Sequence, residues 1–120
     1  MEISMKKYSF PLIFLLSFFL ITGCADNPRS TAQKFSENLA EGKITEAKKF
    51  ATEPTGKMLD FAASLGTLPV NQNYKFIFIR ENVQDNSAQV VYKESPDGQE
   101  QTIDMVKIDG KWKVNMQTRK

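Results

Sequence analysis

The stretch that decides the fold is Gln101–Met116, QTIDMVKIDGKWKVNM. Asp109-Gly110 stands between two alternating runs, Gln101–Ile108 and Lys111–Met116, and is a strong short signal for a two-residue hairpin turn. Working back from it, Ser95-Pro96-Asp97-Gly98 reads as a type I turn. Ala88–Lys93 is then the preceding strand. Asp85-Asn86 turns the chain once more, and Tyr74–Val83 supplies a fourth strand. Alternation about the last two turns assigns Val91, Ile103, Met105, Trp112, Val114 and Met116 to one face. Tyr92, Thr102, Asp104, Lys111 and Lys113 fall on the other, more polar face. The register of the first strand stays open, because Phe76 and Phe78 on one side face the equally apolar Ile77 and Ile79 on the other.

Upstream the period changes from two to about 3.6. Ser30 is positioned as an N-cap, with Gln33 completing a capping box. Ala32, Phe35, Leu39 and Ala40 share one helical face, and Gly42 is placed to end that helix. Ile44, Ala47, Phe50 and Ala51 form the face of a second helix, with Lys43, Glu46, Lys48 and Lys49 toward solvent. Pro54 suits the first turn of a third helix, whose expected buried stripe is Met58, Leu59, Ala62 and Leu65, closed by Gly66. Helices followed by a meander give an α+β class, with N-terminal helices packed on one face of a curved four-stranded antiparallel sheet.

The first 23 residues read as an address. Lys6 and Lys7 precede Phe10–Ile21, an apolar run of 12 residues interrupted by Ser17. That run is short for a membrane span, which needs about 20 apolar residues. Ile21-Thr22-Gly23-Cys24 then resembles the bacterial lipobox. The resemblance implies cleavage before Cys24, diacylglycerol on its thiol and an acyl chain such as palmitate on its amine. Two lipid signals suffice for stable anchoring. Met5-Lys6-Lys7 is a better signal start than Met1-Glu2, so Met5 is a candidate initiator. Residues 1–23 are thus the signal peptide, 24–29 a lipidated tether and 30–120 the domain. A tether this short keeps the domain within roughly 20 Å of the bilayer. The expected location is the cell envelope, and Ala25 after the cysteine favours the outer membrane where there is one.

Composition narrows the chemistry. The chain of 120 residues has no histidine and one cysteine. An internal disulfide and a cysteine zinc cluster are thereby excluded, and the usual neutral-pH proton carrier is missing. After Cys24 the charges nearly balance, which leaves no electrostatic footprint for nucleic acid. Asp104 and Asp109 read as a sheet-face and a turn carboxylate. Glu94, Asp97 and Glu100 lack calcium-loop spacing, and Lys48-Lys49 is a solvated helix face. No cofactor is expected, and an enzyme is the weakest functional class.

Two stretches carry a resemblance beyond the lipobox. One runs from Thr31-Ala32-Gln33-Lys34-Phe35 through Leu39, Gly42, Ile44 and Ala47 to Phe50-Ala51-Thr52. The other is Val106-Lys107-Ile108-Asp109-Gly110-Lys111-Trp112-Lys113-Val114. Together they resemble small bacterial lipoproteins classed as a domain of unknown function (number 4878). The resemblance implies a cystatin-like fold close to the nuclear-transport-factor-2-like superfamily, with a pocket between helices and sheet. The expectation is a non-catalytic, membrane-tethered module binding a small or extended ligand, with Phe35, Phe50, Met58, Phe61 and Trp112 as candidate pocket residues. The alternative is a protein-interaction or dimerisation module using Ile77 and Ile79 on the exposed sheet face.

Overall fold

The computed structural model describes residues 26–116; the signal segment and Cys24 lie outside them. Helix α1 spans Pro28–Ala40 and is capped by Asn27, whose Oδ1 accepts from the Ser30 amide at 2.8 Å. This corrects the cap expected at Ser30. Asn27 caps as well as serine does, and Pro28 suits the first turn because it has no amide proton to leave unpaired. Gln33, expected in the capping box, instead donates to Glu37 at 3.0 Å. Asp26, ahead of the helix, is itself bonded to Thr31 and to Trp112. Gly42, at φ +80°, ends the helix. The Gly42 amide donates to Leu39 and the Lys43 amide to Asn38, the paired bonds of a Schellman cap.

Helix α2, Ile44–Lys48, turns Ala47 fully inward. Helix α3, Glu53–Ser64, is capped by Thr52, with Pro54 in its first turn. Its buried face is Thr55, Gly56 and Leu59. The expected stripe is corrected here: Met58 and Leu65 are 40% and 60% exposed. A Cβ on Gly56 would sit 3.5 Å from the Lys48 side chain, so α3 approaches α2 closely at this glycine, while Met58 and Phe61 turn outward.

Four antiparallel strands follow in simple meander order: β1 Ile77–Gln84, β2 Ser87–Lys93, β3 Gln101–Ile108 and β4 Lys111–Val114. Asp109 and Gly110 both adopt positive φ, as a type I′ hairpin requires. Val90 pairs with Ile103, Ala88 with Met105, and Met105 with Val114. The inner face of β2 is therefore Ala88, Val90 and Tyr92. Val91 lies opposite Thr102 on the outer face, which corrects both the Val91 and the Tyr92 assignments. In β1 a bulge separates Phe78 from Arg80. Phe76 and Phe78 pack against the core, and Ile77 and Ile79 are half-buried.

The core lies between helices and sheet around Met105, Trp112, Val90, Val114, Phe35 and Leu59. Ala32 and Ala47, both fully buried, let α1 and α2 approach closely enough to seal it. The outer edge of β4 is closed by three separate segments. The Trp112 amide donates to Asp26 Oδ2 at 2.7 Å, the Val114 amide to the Phe50 carbonyl at 2.8 Å, and the Met116 amide to Thr55 Oγ1 at 2.9 Å.

Candidate functional site

The C-terminal half of α1, the chain between α3 and β1, and the adjoining ends of β2 and β3 leave a hollow of about 400 Å³. That volume falls within the range of small-molecule sites. One wall is apolar: Phe35, Leu39 and Ala40 from α1, Leu68 and Pro69 from the connecting segment, and Ile103 from β3. Ser36, Tyr74, Tyr92, Glu94 and Gln101 supply polar side chains to the lining of the hollow.

Each hydroxyl has a local cause. Ser36 follows Phe35 on the inward face of α1, so the helix period carries it into the interior, where it is 6% exposed. Tyr92 enters through the observed β2 register, and its ring stacks on Phe76 with centroids 4.9 Å apart. Tyr74 leads into β1, and its hydroxyl is buried without a hydrogen-bond partner among the described residues. Burial pushes the Tyr74 phenol up to about 12. The neighbouring Ser36 hydroxyl eases that shift, while the Glu94 and Glu37 carboxylates add to it. Burial also pushes the Tyr92 phenol strongly up, with Tyr74 and Glu94 adding to the effect. Both phenols are consequently neutral near pH 7 and carry an O–H that can donate. Asp104 borders the hollow, but its carboxylate accepts from Gln89 on the opposite sheet face. Glu94 Oε1 accepts from Gln101 Nε2 at 2.9 Å.

Of the five residues expected to line a pocket, the hollow contains Phe35. Trp112 is buried in the core, and Phe50 packs partly buried against it. Met58 and Phe61 are on the solvent side of α3, Phe61 at 66% exposure. Ile77 and Ile79 are half-buried beside the β1 bulge instead of forming an open patch. Several of the expected solvated charges form exposed ion pairs: Lys48 with Asp60 at 2.7 Å, Lys49 with Glu46 at 3.0 Å, and Glu100 with Arg80 at 3.3 Å. Among the described residues no cluster of three acidic, histidine or cysteine side chains is placed to hold a metal ion. None of the described helices is long and apolar enough to cross a membrane.

Sequence reading missed Ser36, Tyr74 and Tyr92. The signal that could have found the first was a serine beside Phe35 on an otherwise apolar helix face. Tyr92 was lost through the one-residue shift in β2.

No family model matches the sequence. No curated protein matches it either. Among solved structures the chain is similar to a Campylobacter jejuni protein provisionally named an NTF2-like (nuclear-transport-factor-2-like) transpeptidase. The TM-score is 0.55 at 15% identity, over 77% of this chain and 100% of that one. At that identity the likeness concerns the fold alone. The α+β arrangement described above is thus of the nuclear-transport-factor-2-like, or cystatin-like, kind.

Proposed function

We propose that this chain is a lipid-anchored envelope protein whose domain binds a small ligand in the hollow between α1 and the sheet, without catalysing a reaction on it. The carrying observation is the hollow itself: an apolar wall with a few polar side chains is the usual make-up of a small-molecule site. Anchoring is supported by the Ile21-Thr22-Gly23-Cys24 sequence and by the basic and apolar zones before it. The transpeptidase name of the structural neighbour is not carried over. An acyl-transfer nucleophile needs an adjacent base. Ser36 has protonated phenols beside it, and the chain has no histidine to supply one.

Two experiments test the two parts. Cys24→Ser should release the protein from the membrane fraction; retention and continued lipid labelling of that variant would sink the anchor. For the hollow, small molecules that co-purify with the protein should be released on denaturation and identified by mass spectrometry. Ile103→Trp fills the hollow and should abolish that co-purification, and an unchanged yield would overturn the site.

The alternative, a protein-interaction module, draws its support from α3 and not from the sheet. Met58, Phe61 and Leu65 are all exposed there at helical spacing. Concentration-dependent self-association lost in Phe61→Ser would favour that reading.

A further inference from the structure

The polar groups around the hollow are of one electrical character. Among the described residues no lysine or arginine lines it, whereas Glu94 stands at its edge beside two phenols. Lys75 is exposed, and the link it makes here is from its backbone amide to the Glu94 carbonyl. Glu94 is half-buried, and among the described residues its side chain is bonded to the neutral amide of Gln101. Among the described residues no cation compensates the carboxylate, and Glu37 on α1 places a second negative charge near Tyr74. Such a site repels a carboxylate or phosphate ligand and favours a positive one.

We infer that the hollow takes a partly apolar ligand bearing a protonated amine, with the ammonium group at Glu94 and the apolar body against Phe35, Leu39 and Ile103. The inference rests on reading the hollow as the binding site. The ammonium group supplies three donors to a carboxylate that now has one, and the Tyr74 and Tyr92 hydroxyls stay neutral and do not compete for its charge. A hollow of about 400 Å³ has room for a ring or a short branched chain against that wall.

The test uses three probes that share a ring and differ in charge: phenethylamine, 2-phenylethanol and phenylacetate. Each is titrated by saturation-transfer NMR against the full chain in phosphatidylcholine nanodiscs, with empty discs as the blank. Phenethylamine should bind about five-fold more tightly than 2-phenylethanol, and phenylacetate most weakly. Glu94→Gln should bring the amine to the level of the alcohol. Gln101→Lys, a change at an exposed position, places an ammonium group beside Glu94 and should likewise remove the preference for the amine over the alcohol. Should Glu94→Gln fail to fold, Gln101→Lys decides the matter alone. Equal binding of the amine and the alcohol, or a preference for phenylacetate in the unaltered protein, overturns the inference and leaves the hollow as a binding site. Failure of all three probes, with no competition for co-purified material, overturns the site itself.

Discussion

Asp26 is bonded to two parts of the domain at once, and removing its carboxylate tests whether the N-terminal segment is part of the fold. Its Oδ2 accepts from the Trp112 amide at 2.7 Å, and its Oδ1 from the Thr31 hydroxyl at 3.1 Å. In Asp26→Ala both donors lose their acceptor. Trp112 sits on the sheet edge, where water can replace part of the lost bond, so its share is about 1 kcal/mol, below the usual value for a charged acceptor. Thr31 is 2% exposed, and its stranded hydroxyl adds about 1 kcal/mol more. A loss of about 2 kcal/mol lowers Tm by about 8–16 °C in a domain of this size. Thermal melts by circular dichroism of a Thr22–Lys120 fragment carrying Cys24→Ser would measure it. Asp26→Asn keeps one acceptor oxygen and should fall between. If Asp26→Ala melts within about 2 °C of the parent, the contact is a passive one and the folded unit does not begin before α1.

Other consequences follow from burial and backbone geometry. Leu59→Ala should cost about 2–4 kcal/mol in chemical denaturation, whereas Phe61→Ser, two residues on and on the open side, should change stability by less than about 0.5 kcal/mol. Gly42→Ala should cost about 1–2 kcal/mol, because the residue has positive φ and the new methyl meets Val70 Cγ2 at 3.1 Å. Tyr74 gives a pH test. Its folded-state pKa, about 12, is above the unfolded value of 10.0, so the folded protein holds the proton longer. The stabilisation is full below about pH 10 and is lost as pH rises toward 12. Phenolate absorbance should therefore show Tyr74 and Tyr92 ionising only with alkaline unfolding, and early titration of both would refute their burial.

Turn chemistry made much of the fold readable. Asp109-Gly110 and Gly42 have backbone demands that few residues meet, and both occupy the places expected of them. Strand β3 likewise runs over Gln101–Ile108 as alternation implies. Legibility failed where two neighbouring residues were equally apolar. Val90 and Val91 offer the same hydrophobicity, so pattern alone could not say which faces the core, and a shift of one residue exchanged the faces of the whole strand. On α3 the failure was of a different kind. Thr55 is fully buried because its hydroxyl accepts from the Met116 amide, a long-range bond that no local pattern encodes. The site suffered from both causes. Its apolar wall was partly visible in Phe35, while its hydroxyls came from a strand read one residue out and from a helix face read as purely apolar.

The three caps on β4 also bear on how copies of this protein can meet. A sheet that joins edge to edge can grow without limit only if both its edges accept a strand. Here one side is filled by Asp26, Phe50 and Thr55, leaving β1, with its bulge and its Arg80 and Glu81, as the remaining flank. Two molecules pairing through β1 would leave no further strand edge on the described domain for a third. The described domain is thus built so that strand pairing stops at two.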